Sequence, residues 1–241
     1  MDKLKKLVLT LVPSYARLPL LCCVTWNCLV YSLTGVISAS WKHYDFTLNI
    51  DRSVPLIPGF VAIYLSCYLF WVANYILIAR QGREHCMRFV TADMLSRLVC
   101  CLFFLIIPTT NVRPVLEGND IFTRLLGLVY QIDSPVNLFP SIHCLVSWFC
   151  FIGIRGQKNV PRWYQAASCI MAILVFISTQ VTKQHYIVDV IGAVILAEGA
   201  YYFGMHTNCY LKVERVMDSV RHRLFPSWEA EERKGGVRYE R

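Results

Sequence analysis

The sequence predicts an all-α protein that crosses a membrane as six helices. Of its 241 residues, 56% are hydrophobic and only 17% are charged. Its apolar runs repeatedly approach the roughly 20 residues that a helix needs to cross a bilayer. A soluble domain of this length would carry more charge and shorter apolar runs. The predicted spans are 18–40, 55–79, 91–110, 139–154, 163–182 and 186–207.

Three regions of the chain differ in composition. Residues 1–17 contain a short apolar stretch that ends at Pro13, which is more typical of an interfacial segment than of a signal peptide. Residues 18–210 hold the six spans and form one membrane domain, which leaves no room for a separate soluble domain. Residues 211–241 are rich in charge and are predicted to form a basic cytoplasmic tail.

The positions of Lys and Arg predict the orientation of the spans. The formal net charge is +8, and most basic residues fall near the two ends of the chain and after the second and fourth spans. Because cytoplasmic loops carry an excess of Lys and Arg, both termini are predicted to be cytoplasmic. The basic surplus then reflects topology and contact with membrane lipids, and we expect no nucleic-acid partner. Segments 41–54, 111–138 and 183–185 would face outward.

The longest outward segment, 111–138, is rich in turn-forming residues. It also contains an apolar stretch at 121–130, for which we predict a short helix at the membrane interface. Asn137, close to the start of the fourth span, is a candidate N-cap for that helix.

The 11 cysteines do not indicate a disulfide framework. Most of them fall within predicted spans, where a thiol behaves as a small hydrophobe. No spacing of Cys and His is typical of zinc, and no carboxylate cluster is present to hold another metal ion. We therefore expect neither a metal ion nor another cofactor.

Several polar and aromatic residues within the spans have a structural interpretation. Asp93 and Arg97 are spaced i,i+4, which predicts an ion pair near the cytoplasmic end of the third span. Glu198 is expected to form a hydrogen bond between helices. Tryptophans near predicted span ends indicate interfacial belts, with Trp41, Trp71 and Trp163 as examples.

Two histidines and one carboxylate stand at the edges of apolar runs. His143 opens the fourth span, and His185 lies between the fifth and sixth spans, four residues before Asp189. Ionisable groups beside hydrocarbon are functional candidates by default. The i,i+4 spacing of His185 and Asp189 allows the carboxylate to fix the tautomer of a nucleophilic or basic histidine. The predicted topology brings Arg113 to the same face of the membrane.

These residues form a recognisable pattern. Arg113 with Pro114, then the run 140–143 (Pro-Ser-Ile-His), then Ser178 with His185 and Asp189, resembles the three-part signature of the type 2 phosphatidic acid phosphatase superfamily. The resemblance covers about 111–192, and its second and third parts are the more specific. It implies a six-span enzyme that acts on phosphate esters without a metal ion.

The resemblance also implies the role of each residue. His185 would attack phosphorus to form a phosphohistidine, Asp189 would orient its ring, and His143 would protonate the leaving oxygen and then activate water or an alcohol. The candidate catalytic residues are therefore His185, His143 and Asp189. The candidate phosphate-binding residues are Arg113, Lys183, Ser141 and Ser178, together with the first amides of the fourth helix.

The sequence departs from the family pattern at three positions. Ile106 and Thr179 stand where the family usually has Lys and Arg, so two cations are absent, and Lys183 is a candidate to supply part of that charge. Ile142 replaces the usual Gly between Ser and His. Ile142 and the context of His185 are similar to the branch that contains inositol phosphorylceramide and sphingomyelin synthases.

The sequence therefore predicts a lipid-phosphate phosphatase with its site at the extracytoplasmic face of a bacterial plasma membrane. Phosphatidic acid, phosphatidylglycerol phosphate and a polyprenyl diphosphate all fit as substrates. One alternative is a phosphotransferase that moves a phospho-headgroup to a lipid alcohol. Another, from a different class, is a transporter or a haem-binding bundle that uses the same histidines.

Overall fold

The computed structural model describes residues 11–225 and is a bundle of helices. Five helical segments are long and apolar enough to cross a membrane, which confirms an all-α integral membrane protein. They are α1 (Ser14–Ser38), α3 (Val61–Ala79, extended by the 3₁₀ turn Pro58–Phe60), α4 (Arg83–Ile106), α7 (Arg162–Val181) and α8 (Ile187–His206).

The fourth predicted span, 139–154, contains a shorter helix than expected. Helix α6 covers Ile142–Ile152, and its 11 residues give a length of about 16 Å, roughly half the thickness of the hydrocarbon core. Its C-terminal end reaches the first turn of α4, where His85 Nε2 lies 2.8 Å from the Gly153 carbonyl. Helix α6 therefore begins deep within the bundle and runs to one end of it.

Short elements connect the long helices. Strand β1 (Tyr44–Asp45) pairs in parallel with β2 (Thr109–Thr110), and α5 (Ile121–Ile132) follows this pair as the short helix that the sequence predicts at 121–130. The other bounds are Asn49–Ser53 for α2 and Tyr210–Leu224 for α9.

Helices α4 and α6 form the centre of the bundle. Helix α4 packs against α1 and α8, and α6 packs against α3, α7 and α8. A Cβ atom at Gly204 would lie 2.6 Å from the Arg88 carbonyl oxygen, so glycine permits the close approach of α8 to α4. The C-terminal ends of α1, α4 and α7 and the N-terminal ends of α3 and α8 lie together, and we call this the site end.

The polar residues inside the bundle form structural contacts. Arg97 donates to Asp93 at 2.9 Å, and both side chains are 1% exposed, which confirms the predicted ion pair. The pair lies near the middle of α4, because this helix begins at Arg83 and not at residue 91. Glu198 accepts hydrogen bonds from Trp148 and Arg155 of neighbouring segments, as expected.

The interpretation of Trp71 as part of an interfacial belt is wrong. Trp71 lies in the middle of α3, and its indole N–H donates to the Ser147 hydroxyl on α6 at 2.9 Å. The sequence around Trp71 gave no sign of this partner on another helix.

The two ends of the chain are only partly described. Helix α1 begins at Ser14, within the segment predicted to be interfacial. Helix α9 occupies the first part of the predicted tail, and Arg83 at the start of α4 donates to Glu214 and Asp218 at 2.6 Å each. The predictions for residues 1–10 and 226–241 lie outside the described residues.

Candidate active site

The structure brings the two predicted histidines together. His143 lies in the first turn of α6 and His185 just before α8, and the centroids of their rings are 5.9 Å apart. Their separation in the chain is large, so the packing of α6 against α7 and α8 creates this proximity.

The turn at the end of α7 determines the position of His185. The N–H of Gln184 donates to the Thr179 carbonyl at 2.9 Å, and the N–H of Lys183 donates to the Gln180 carbonyl at 3.1 Å. This pattern is a Schellman motif, in which the first residue after the cap is left-handed and usually glycine. Here that residue is Lys183, with φ +56°. The motif turns the chain sharply, and His185 follows at once.

Lys183 is held at both its backbone and its side chain. Its ammonium donates to the carbonyls of Asp51 at 2.9 Å and Val54 at 2.5 Å. The Asn111 side-chain amide donates to the backbone carbonyl of Lys183 at 3.2 Å. Burial lowers the pKa of Lys183, and the nearby Asp51 carboxylate opposes this shift. Two of the three ammonium donors are therefore engaged by backbone carbonyls of segment 51–54. Phosphate binding by Lys183 stays a prediction.

Asp51 is a site residue that the sequence interpretation missed. Its carboxylate is buried at 1% residue exposure and accepts hydrogen bonds from the N–H groups of Ile187 at 3.0 Å and Leu48 at 2.8 Å. Ile187 begins α8, so Asp51 caps this helix from a distant segment and interacts favourably with its dipole. Its position in a loop before the second span gave no signal of this contact.

Asp189 contacts His185 as the i,i+4 spacing predicts. One oxygen, Oδ2, lies 3.3 Å from His185 Nδ1 and accepts the N–H of Tyr186 at 2.9 Å. The backbone carbonyl of Asp189 accepts the N–H of Ser141 at 3.2 Å. Asp189 therefore joins the loop that carries His185 to the start of the helix that carries His143.

Aromatic side chains of α3 surround His143. Ring centroids of Tyr64, Trp71 and Tyr68 lie 4.6, 5.5 and 6.1 Å from that of His143. The Tyr68 hydroxyl is 3.3 Å from His143 Nε2. The i, i+4, i+7 spacing of these aromatics on one face of a helix is the signal that could have identified them. Tyr64 lies about 5 Å and Trp71 about 15 Å along α3 from its first residue, so the rings around His143 extend from near the site end into the bundle.

Arg113 connects the loop before α5 to the residue next to His185. Its guanidinium donates to the Asp133 carbonyl at 2.5 Å and to Gln184 Oε1 at 2.5 Å, and it lies 4.7 Å from the centroid of the Tyr130 ring. The Asp133 carboxylate in turn accepts the Tyr64 hydroxyl at 3.1 Å.

These contacts close a circuit around the two histidines. It runs from His185 to its chain neighbour Gln184, and from there through Arg113 and Asp133 to Tyr64, whose ring faces His143. The family resemblance named His185, His143 and Arg113 of this group. Asp133 was not among them, and its backbone and carboxylate contacts hold the loop after α5 to α3.

The two predicted serine ligands are engaged within their own helices. Ser141 is the N-cap of α6, and its hydroxyl accepts the Cys144 N–H at 3.3 Å. The proposal that Asn137 caps this helix is wrong, because the helix begins five residues later at Ile142 and Asn137 donates to Thr34 on α1 at 3.0 Å. The Ser178 hydroxyl donates to the Val175 carbonyl at 2.7 Å.

The site offers the chemistry of two neighbouring imidazoles, and the ring of one of them, His185, is oriented by the Asp189 carboxylate. A carboxylate holds one nitrogen of His185 and leaves the other free to attack, while His143 lies close enough to serve the same reacting group. Within residues 11–225, no group of three His, Cys, Asp or Glu side chains is arranged to hold a metal ion.

Comparison with known proteins identifies the family. The family model described as the PAP2 superfamily matches residues 52–203, well over half of the chain. The match includes Arg113, His143, His185 and Asp189. Neither the curated proteins nor the solved structures gave a match. The chain belongs to the PAP2 superfamily.

Proposed function

We propose that this protein is a metal-independent phosphatase of membrane lipid phosphates that works through a phosphohistidine. The observation that carries the proposal is the 5.9 Å separation of the His143 and His185 rings, with the Asp189 carboxylate on Nδ1 of His185. Membership of the PAP2 superfamily supports phosphatase or phosphotransferase chemistry and gives no support to a transporter or a haem-binding bundle.

In the first step, His185 Nε2 attacks phosphorus. Asp189 holds the proton on Nδ1, which keeps the Nε2 lone pair free and stabilises the positive ring that forms. As the N–P bond forms, the bond from phosphorus to the lipid oxygen breaks, and protonated His143 gives its proton to that oxygen. The products of this step are phosphohistidine, neutral His143 and the free lipid alcohol, or the polyprenyl monophosphate when the substrate is a polyprenyl diphosphate.

In the second step, a water molecule attacks the phosphohistidine. His143 takes a proton from this water, the new O–P bond forms, and the N–P bond to His185 breaks. Inorganic phosphate leaves, His143 carries a proton again, and His185 returns to its neutral state. Protons and electron pairs balance over the two steps without a cofactor.

Positive charge and N–H donors must stabilise the equatorial oxygens of the transition state. Arg113 is the proposed main cation, because its planar fork suits phosphate and its partner Gln184 adjoins the nucleophile. The first amides of α6, next to Ser141, are proposed to add donors at a helix N-terminus. Ser178 and Lys183 complete the proposed set, Lys183 through its third ammonium proton.

The surface of α5 supports a lipid as the substrate. Its inner face packs Leu126 and Val129 close to Tyr64, whereas its outer face leaves Leu128 53% and Ile132 85% exposed. A helix that is apolar on both faces matches hydrocarbon outside and protein inside. The helix thus sets the candidate site beside an apolar surface, which favours an amphiphilic phosphate such as phosphatidic acid, phosphatidylglycerol phosphate or a polyprenyl diphosphate.

We also propose that the chain crosses the membrane six times. Helix α6 is short, yet with the turns that precede and follow it the chain passes from the site region to the opposite end of the bundle. With six crossings, the excess of Lys and Arg near both ends of the chain and after the second and fourth spans favours cytoplasmic termini and an extracytoplasmic site. A bacterial plasma membrane fits this arrangement.

A defined product assay tests this function. Purified protein is incubated with labelled phosphatidic acid, phosphatidylglycerol phosphate and a polyprenyl diphosphate, and released phosphate is measured with and without EDTA. We expect phosphate release that EDTA leaves unchanged and that vanadate inhibits, because vanadate mimics five-coordinate phosphorus. Loss of activity with EDTA that Mg²⁺ or Zn²⁺ restores would contradict the metal-independent mechanism.

A second candidate is transfer of a phospho-headgroup to a lipid alcohol. The observation in its favour is the aromatic surround of His143, where Tyr64, Tyr68 and Trp71 limit access of water to the general base. The same assay with ceramide or diacylglycerol and a phosphodiester donor separates the two. A new phospholipid with little free phosphate would identify the transferase.

A further inference from the structure

We propose that the side-chain amide of Gln184 donates a hydrogen bond to the phosphate and so acts as a binding residue that the family signature does not contain. The proposal rests on the proposed function of the site, because it assigns a ligand to the same pair of histidines. Gln184 directly precedes the nucleophile in the chain.

The two ends of this amide have different surroundings. Gln184 is 1% exposed, its Oε1 accepts the Arg113 guanidinium at 2.5 Å, and its Nε2 is buried with no hydrogen-bond partner among residues 11–225. Arginine can only donate hydrogen bonds, so the oxygen must face Arg113 and the NH₂ group must face the other way. Arg113 therefore fixes the direction in which Gln184 donates.

An unpartnered buried donor calls for an explanation. Most buried polar groups in proteins have a partner, and a bound ion, a water molecule or a catalytic role accounts for many of those that do not. Within the described part of the chain Arg113 Nε is also buried without a partner, so two neighbouring side chains there each retain an unused N–H donor. Both belong to the circuit that encloses the two histidines. A phosphate held between the histidines would accept both hydrogen bonds.

This assignment accounts for a departure from the family pattern. Thr179 stands where the family has an arginine, and its hydroxyl donates to the Phe176 carbonyl within α7. Lys183 lies close to Asp51, whose carboxylate offsets its charge. In this chain the neutral amide of Gln184 would then donate one of the hydrogen bonds that the missing arginine donates to phosphate in other members of the family.

Two substitutions of Gln184 separate the loss of its hydrogen-bond donor from a change in charge and from the loss of its contact with Arg113. Gln184→Glu keeps an oxygen for Arg113 but removes the donor and adds negative charge. Gln184→Met removes the donor and the acceptor but adds no charge. The matched control is Gln131→Glu, which adds the same charge at an exposed position of the neighbouring helix α5. Thermal unfolding in detergent verifies that each variant is folded.

We expect both Gln184 variants to lose about 100-fold in kcat/KM, the usual effect of removing one transition-state donor, while Gln131→Glu resembles wild type. Half-maximal inhibition by vanadate should need a correspondingly higher concentration in both. A loss in Gln184→Glu alone indicates charge repulsion, and a loss in Gln184→Met alone indicates positioning of Arg113. Either of these outcomes, or values within about threefold of wild type in both, would overturn the assignment.

Direct binding of vanadate separates this proposal from the proposed function. If wild type turns over no lipid phosphate, vanadate binding is measured by its shift of the unfolding temperature. Vanadate that stabilises wild type but neither Gln184 variant supports the assignment even when the substrate is still to be found. Equal stabilisation of all three proteins, or none in wild type, overturns it.

Discussion

The carboxylate of Asp51 accepts the backbone N–H of Ile187 at 3.0 Å, and the ammonium of Lys183 donates to the Asp51 carbonyl at 2.9 Å. Residues on both sides of His185 are thus tied to one short helix, α2, that precedes the second long helix. A further hydrogen bond, from the Ile57 N–H to the Val181 carbonyl at 2.8 Å, extends the tie to the end of α7. The loop between α1 and α3 therefore holds the loop that carries the proposed nucleophile.

Asp51→Ala should destabilise the protein and reduce turnover. The change leaves the N–H groups of Ile187 and Leu48 without their acceptor, which costs roughly 1–3 kcal/mol for a buried group. We expect a lower unfolding temperature in detergent and a lower kcat. Arg52→Ala, an exposed residue of the same helix, is the control and should change neither value. An unfolding temperature equal to that of wild type would show that Asp51 does not hold the loop.

Lys183→Gly and Lys183→Ala should differ in stability. Both lose the side-chain hydrogen bonds to Asp51 and Val54, but only glycine adopts φ +56° without strain. Left-handed backbone disfavours alanine by about 1 kcal/mol, so the glycine variant should unfold at the higher temperature. Chemical denaturation in mixed micelles measures the difference.

The same two variants test phosphate binding by Lys183. If its third ammonium proton contacts the phosphate, both variants should need more vanadate for half-maximal inhibition. Unchanged inhibition together with lower stability would assign Lys183 to the loop alone.

His185→Ala should reduce turnover by roughly 10⁴-fold or more, because it removes the atom that forms the bond to phosphorus. The unfolding temperature should stay close to that of wild type. Acid-labile label from ³²P-phosphate substrate should appear on wild type and be absent from this variant. Label that persists on His185→Ala would place the phosphoryl group on another residue.

His143→Ala should be sensitive to the leaving group. A general acid contributes about 10²- to 10⁴-fold, and that contribution shrinks when the leaving oxygen needs no proton. We expect a severe loss with a lipid phosphate and a much smaller loss in the first step with a p-nitrophenyl phosphate ester. Equal losses with both substrates would argue against proton donation by His143.

Much of the fold could be predicted from the sequence, because the length of an apolar run and an i,i+4 spacing involve only residues that are close in the chain. The long spans, the short helix α5, the Asp93–Arg97 pair and the contact between His185 and Asp189 were all predicted from residues close in the chain. The predicted first and last residues of the helices were less accurate. Hydropathy excluded the charged start of α4, where Arg83 and Arg88 form ion pairs with Glu214 and Glu84.

By itself, the sequence determined that the chain is an all-α membrane protein of the PAP2 type with a histidine and a carboxylate one helical turn apart. Tertiary structure alone decided that Tyr64, Tyr68 and Trp71 surround His143, that Asp51 caps α8, and that Gln184 meets Arg113. These contacts join segments far apart in the chain. Helix packing sets such distances, and no spacing within a single segment records them.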